Sequence, residues 1–166
     1  GLERKIIEMI RNGQDNVDIA DRLHRWIRTI LLTADAAELP LAMVAELKRQ
    51  FLIPQAAIRL WGVDERFASE PFALAVSDDA KSHAAGLTLP YCGVNSGGEA
   101  AGWLEDASTV MSLALIPLRN GGADDPFGLL VLGSPDPTRY SADMGTEFLA
   151  RIGDIAASAL SRLRTA

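Results

Sequence analysis

Positions 2, 6, 9, 13, 16, 20, 23, 27, 30 and 34 alternate steps of four and three, and most are apolar: Leu2, Ile6, Met9, Ala20, Leu23, Ile27, Ile30 and Ala34. That spacing is the seam of a long amphipathic helix able to pair along its length. Its centre is weak, because Gly13 and Asn16 stand on the seam. A glycine inside a helix costs about 1 kcal/mol relative to alanine, so a break or kink is expected at "RNGQDN". The half from Val17 to Leu32 is stronger. Trp26 and Leu31 widen its apolar face enough to pack on a domain as well as on a partner helix. A second helix is predicted over 39–51, with Pro40 in its first turn. Leu41, Val44, Leu47 and Phe51 mark one side, and Pro54 ends it.

"QAAIRLWGV", 55–63, reads as a strand closed by Gly62 and Asp64. From 64 to 110 the pattern is weaker. "FALAVS" reads as a short strand or a helical turn, and "DDAKSHAAG" as a loop or helix. "LTLPYCGV" reads as a short strand interrupted by Pro90, and "GGEAAGWLEDAS" as a short helix carrying Ala100, Trp103 and Leu104 on one side. A loosely patterned insert of this length between firm elements often covers a pocket. The last third is firmer. "VMSLALIPLR" and "FGLLVLGS" are strands, 110–119 and 127–134, joined across "NGGADDP" as an antiparallel hairpin. Both are apolar on both faces, so they are expected to be central and covered on both sides. Pro117 cannot donate to a ladder and belongs near the strand end or at a bulge. A closing helix is predicted over 143–163, with Phe148, Ile152, Ile155, Ala159 and Leu163 as its buried stripe. Ser141 is its expected N-cap, and Asp143 lies in its first turn.

A chain of 166 residues with 48% apolar and 23% charged positions has the material for one globular core. The division expected is an N-terminal helical dimerisation segment, 1–34, followed by one domain, 35–166. The net charge of −6 and the lack of a compact basic run argue against a nucleic-acid partner. No apolar stretch is long enough for a membrane-spanning helix. One cysteine, Cys92, fits a reducing, cytoplasmic setting and excludes any motif needing two thiol ligands.

The stretch "SLALIPLRNGGADDPFGLLVLGSPDPTRYSADMGTEFLARIG" resembles the GAF domain. Pro117 and Leu118 match its strand ending, Gly128, Leu130 and Leu132 its "G-x-L-x-L" strand, and Tyr140 and Ser141 the opening of its last helix. More narrowly, "RLHRWI", "PYCG", "GGEAAGWL", "SLALIPL" and "LGSPDPTRYSADMGTEFLARIG" are similar to a bacterial GAF-like family known as domain of unknown function 484. The resemblance covers most of 17–160. It implies an α+β, GAF-like fold: a central antiparallel sheet, N- and C-terminal helices packed on one face, and a variable insert on the other. It implies a non-catalytic sensory or regulatory module that binds a small molecule or a protein partner. The alternative is a purely structural dimerisation module without a ligand pocket. No cofactor is assigned.

Each candidate site has a plainer reading beside it. "GSPDPTRYS" lies between strand and helix as a phosphate loop would. It has one glycine, and two prolines that lack N–H donors, so a structural corner is favoured. Cys92 reads as a buried thiol, as a ligand contact, or as a covalent site. The GAF proteins that reduce methionine sulfoxide normally need a resolving thiol, which this chain lacks. His24 is expected at an interface or the surface and His83 at the surface, both too isolated to form a metal site with one cysteine. Asp78 and Asp79 read as a solvated loop or helix start, and Asp124 and Asp125 as solvated hairpin loop. If the family geometry holds, a pocket lies between the sheet and the 64–110 insert. Its candidate walls are Arg59, Tyr91, Cys92, Trp103 and Ser112. The terminal helices are expected to lie together and to build a homodimer as a parallel bundle, with Leu23, Ile27, Ile30, Ile152, Ile155 and Leu163 at the interface.

Overall fold

The structure is a computed structural model describing residues 2–120, 125–140 and 146–164, with the backbone alone over 8–16. Helix α1 runs Leu2–Leu32 without the break expected at "RNGQDN". The penalty of one glycine is small against a helix of 31 residues. Asp35 caps a 3-10 turn, Ala36–Glu38, by accepting from the Ala37 N–H at 3.0 Å. Helix α2, Leu39–Phe51, starts where expected, with Pro40 in its first turn. Leu52 ends it in the left-handed region (φ 52°), and the Ile53 N–H bonds the Lys48 carbonyl at 3.0 Å. Strand β1, Gln55–Leu60, follows and is shorter than expected, although the Trp61 N–H still donates to the Phe127 carbonyl at 2.8 Å beyond its last pair.

Beyond β1 come 3-10 turns at Glu65–Phe67 and Pro71–Ala73, helix α3 over Asp78–Ala85, and strand β2 over Tyr91–Val94. Two more 3-10 turns, Glu99–Trp103 and Ala107–Thr109, lead into strand β3, Ser112–Leu118, and its partner β4, Gly128–Ser134. Helix α4 spans Glu147–Leu160 and tightens into a 3-10 turn at Ser161–Leu163. Ser141 and Asp143, the expected start of that helix, lie outside the described residues, as does Asp124.

The sheet is antiparallel throughout, in the order β1-β4-β3-β2. Every residue of β4 is buried, and every residue of β3 except Pro117. The pairing of β2 with β3 stops at Leu115, so Pro117 lies past the end of β2. On one face Ile58, Leu60, Cys92, Ala114, Ile116, Leu118, Leu130 and Leu132 pack under the helices. Helices α2 and α4 lie on this face, and α1 packs on α2. The neighbour of α1 is therefore α2, where α4 was expected. At the ends of the two terminal helices Arg162 donates to the Thr33 and Ala34 carbonyls at 3.4 and 3.2 Å.

Trp26 fixes α1 to the domain. It is completely buried, and its Nε1–H donates to the Met43 carbonyl of α2 at 2.9 Å. Nearby, Arg22 donates to the Gln50 carbonyl at 2.9 Å. Trp26→Ala is expected to cost about 3–5 kcal/mol, and Trp26→Phe less, since it keeps most of the apolar volume and loses the hydrogen bond. Denaturant unfolding followed by circular dichroism measures both. A loss below about 1 kcal/mol for the alanine variant would remove Trp26 from this role.

Candidate functional site

The opposite face of the sheet presents Ala57, Arg59, Leu113, Leu115, Leu129 and Val131, and the segment between β1 and β3 covers it. The cover is built from small residues. Ala84, Ala100 and Ala101 are buried there, with Leu104 and Val110 toward one end. Leu104 and Val110 lie close on the sheet at Gly133, where a Cβ would come within 2.7 Å of Leu104 and 3.2 Å of Val110. Where the cover is alanine, the methyl groups do not reach the floor, and a cavity of about 380 Å³ remains. Leu113, Leu115 and Leu129 form its floor, and Ala80, Ala100 and Ala101 line its wall. Asp79, His83, Tyr91, Asn95, Ser96 and Glu99 supply its polar side chains.

Helix α3, which carries Asp79, Ala80 and His83, is held at both ends. The Ser77 hydroxyl accepts from the Ala80 N–H at 3.1 Å as the N-cap. The same hydroxyl donates to the Glu99 carboxylate, and the Ser77 N–H donates to it at 3.2 Å. These bonds, the hydroxyl first, hold the Glu99 carboxyl below the usual glutamate range. At the far end Arg119 donates to the carbonyls of Leu87, Ala85 and Ala84 at 2.6, 3.0 and 3.4 Å. It thereby ties the last turn of α3 and the residue two beyond it to the end of β3.

The strand β2 sets the remaining wall. Tyr91 and Gly93 lie on the same face, two residues apart. The Tyr91 ring lies over Gly93 so closely that a Cβ there would stand 2.5 Å from Oη and 2.9 Å from Cζ. After β2 the chain turns back through Asn95. Its Oδ1 accepts from the Gly97 N–H at 2.9 Å, and its Nδ2 donates to the Val110 carbonyl at 3.0 Å. Gly97 has φ 86°, a conformation that suits glycine.

Of the five expected wall residues, only Tyr91 lines this cavity. Arg59 and Trp103 are on the correct face but outside the lining. They pack on each other, with the guanidinium 5.6 Å from the ring centroid, and Arg59 donates to the Pro71 carbonyl at 3.2 Å. Cys92 and Ser112 are on the wrong face. Strand alternation sends Cys92 into the helix-side core beside Ala114 and Ile116, where burial pushes its thiol up and disfavours the reactive thiolate. The Ser112 hydroxyl donates to the Asp136 carbonyl at 2.7 Å and accepts from the Tyr140 N–H at 3.2 Å. Asp79 and His83 are exposed as expected, yet both line the cavity. Their i, i+4 spacing beside the buried Ala80 and Ala84 was the signal available in the sequence. His24 is exposed on α1. Among the described residues no cluster of three or more His, Cys, Asp or Glu side chains could hold a metal ion, and no helix is long and apolar enough to cross a membrane.

The "GSPDPTRYS" loop uses its polar groups on the fold. Asp136 Oδ1 accepts from the Thr138 N–H and hydroxyl at 2.9 and 2.8 Å. Arg139 donates to the carbonyls of Phe51 and Leu52 at 3.0 and 3.2 Å, at the end of α2.

A four-stranded antiparallel sheet with helices on one face and a cavity under the insert on the other defines a GAF-like domain. Solved structures agree on that fold. The GAF domain of a phosphoenolpyruvate-protein phosphotransferase from Coxiella burnetii superposes with a TM-score of 0.64 at 11% identity, covering 88% of this chain and 94% of its own. The phycoerythrobilin-bound GAF domain of a cyanobacterial phytochrome gives 0.55 at 17% identity, covering 89% and 96%. The free methionine-R-sulfoxide reductase of Neisseria meningitidis, in complex with its substrate, gives 0.56 at 16%, covering 84% and 86%. No curated protein matches the sequence. The chain belongs to the family described as "Protein of unknown function, DUF484", whose model matches residues 1–165.

Gly93→Ala places a methyl where the Tyr91 ring now lies. The end of that side chain can swing aside, so stability is expected to fall by less than about 1 kcal/mol. The Tyr91 ring resonances are expected to move in the NMR spectrum. Unchanged ring resonances would show that the ring does not rest on Gly93 in solution.

Proposed function

We propose that this chain is a non-catalytic, cytoplasmic sensory or regulatory module. It takes a small molecule into the cavity beneath α3 and dimerises through α1. The carrying observation is the cavity itself, an apolar floor of Leu113, Leu115 and Leu129 with a few polar side chains at its margin. Small-molecule sites have this size and this composition. A bilin-bound domain and a substrate-bound reductase are among the structures that share the fold, so the fold is compatible with an occupant. The absence of catalysis is inferred from the thiol. The one cysteine of the chain faces the helix-side core, so no thiol lines the cavity.

Two measurements test the ligand. Native and denaturing mass spectrometry of the purified protein, alone and after incubation with a cell extract, is expected to reveal a bound compound. Ala101→Phe, which fills the wall, is expected to abolish that binding while the protein stays folded. No bound compound in either preparation would favour the purely structural module.

The dimer is inferred from α1. Its 31 residues extend about 46 Å, and Trp26 and Ile30, near its C-terminal end, are buried in the core. Further toward the N-terminus Leu2, Ile6, Ile7, Val17 and Ile19 are exposed. A helix without tertiary cover draws little stability from propensity alone, and a second copy laid along the seam would cover Leu2 and Ile6, with Val17 at its edge. Of the six interface residues expected from the sequence, Ile30, Ile152 and Leu163 are at most 5% exposed within the chain's own core and have no surface to give a partner. Leu23, Ile27 and Ile155 are half-buried against that core. The interface is therefore shifted toward the N-terminus of α1. Sedimentation equilibrium is expected to show a dimer at micromolar concentration, and Ile6→Glu with Val17→Glu a folded monomer. A wild-type monomer at that concentration would sink the dimer.

A further inference from the structure

The cavity carries charge of one sign. Asp79 and Glu99 are among its lining residues, and among the described residues no lysine or arginine is. The nearby guanidinium groups are directed elsewhere, Arg119 onto the carbonyls that end α3 and Arg59 onto the Pro71 carbonyl and the Trp103 ring. Lys81 lies on α3 but is not on the lining. At the start of α3 the Ala80 and Lys81 N–H groups are already bound by Ser77, and the first turn carries Asp78 and Asp79, whose charge opposes an anion there.

We infer that the occupant is a small protonated amine with an apolar, preferably aromatic, body: the body lies on Leu113, Leu115 and Leu129, and the ammonium group is near Asp79, Glu99 and the Tyr91 ring. This inference rests on the cavity being a ligand site. An ammonium donates charge-assisted hydrogen bonds to carboxylates and is attracted to the face of an aromatic ring. Glu99 is a carboxylate at neutral pH, and the Ser77 hydroxyl and N–H hold its ionised form in place. The acidic balance of the whole chain, −6, adds a weaker field of the same sign. A carboxylate or phosphate of the same body would be repelled from the rim while gaining the same contacts with the floor. The volume, about 380 Å³, holds about a dozen water-sized groups, enough for one ring with a short chain.

The probes are 2-phenylethylamine, 2-phenylethanol and 3-phenylpropionate, which present similar bodies with positive, neutral and negative heads. Each is titrated into the isotope-labelled full chain and followed by amide chemical shifts. The amine is expected to bind about tenfold more tightly than the carboxylate, moving the signals of Ala80, His83, Ala101 and Leu115. Added salt is expected to narrow that gap. Asp79→Asn combined with Glu99→Gln is expected to erase the preference and leave binding of the alcohol in place. The side-chain amide that Glu99→Gln introduces can still accept from Ser77. Asp79→Asn alone, at an exposed helix position, gives a second variant if the double one is unstable. Equal or reversed preference, with the same signals moving and Ala101→Phe abolishing them, overturns the amine and leaves the cavity as a ligand site. No movement of cavity signals with any probe at millimolar concentration also overturns the amine. The cavity itself is then judged by the mass-spectrometric search for a bound compound.

Discussion

The fold depends on one constraint, that the β3–β4 hairpin is apolar on both faces and must be covered on both. Every residue of β4 is buried. Leu130 and Leu132 face the helices, while Leu129 and Val131 face the insert. The two covers are unequal. The helices bring Trp26, Leu39, Met43, Leu47, Ile152 and Leu160, all fully or almost fully buried, onto one face. The insert brings mainly alanines onto the other. Protein interiors tolerate little empty space, so a face floored by leucine and roofed by alanine must collapse or hold a cavity. Collapse is resisted because α3 is tied down at both ends, by Ser77 to Glu99 and by Arg119 to the carbonyls after it. The cavity is the geometric remainder of these ties.

The parts legible in the sequence were those whose pattern has only one solution. β3, β4 and α2 have dense apolar runs or clear periodicity with proline at the boundaries, and they fall within a residue or two of where the pattern puts them. The insert is mostly 3-10 turns and short elements, whose buried stripe is alanine. An alanine carries little periodic signal, because its burial is decided by what packs above it. The errors within the site have a simpler cause. Tyr91 and Cys92 are adjacent in a strand, as are Ser112 and Leu113, so neither pair can face one pocket. Once Tyr91 is on the insert side, its partner Leu115 must be too, and Cys92 and Ser112 are excluded. The alternation needed for that deduction was present in "SLALIPL" and "PYCGV", but only the fold fixes which face is which.

The loop after β4 shows how chemistry-like residues can be structural. It joins the end of β4 to the start of β3 through Asp136 and Ser112, and reaches α2 through Arg139. Ser134 accepts from the Asp136 N–H at 3.1 Å, so the two buried serines hold the same aspartate backbone from both sides. A loop that must place α2, β3 and β4 relative to one another has few groups left for a ligand. Its glycine and prolines make it a good marker of the fold and a poor candidate for function.

The cavity floor and the helix-side core share a single strand, so a displacement at the cavity would have a route to the rest of the molecule. Leu113 and Leu115 line the cavity, while Ile116, next in sequence, touches α4 where that helix has Gly153. A Cβ on Gly153 would lie 2.8 Å from Ile116 Cγ2, so no slack separates strand from helix at that point. At the end of the same strand Arg119 holds the carbonyls that end α3. A ligand that displaced α3 would therefore pull on β3 from one side, and β3 bears directly on α4 from the other. Packed interfaces of this kind move as discrete repackings and do not deform smoothly. A small displacement at the cavity can thus be felt across the sheet without a continuous chain of polar contacts.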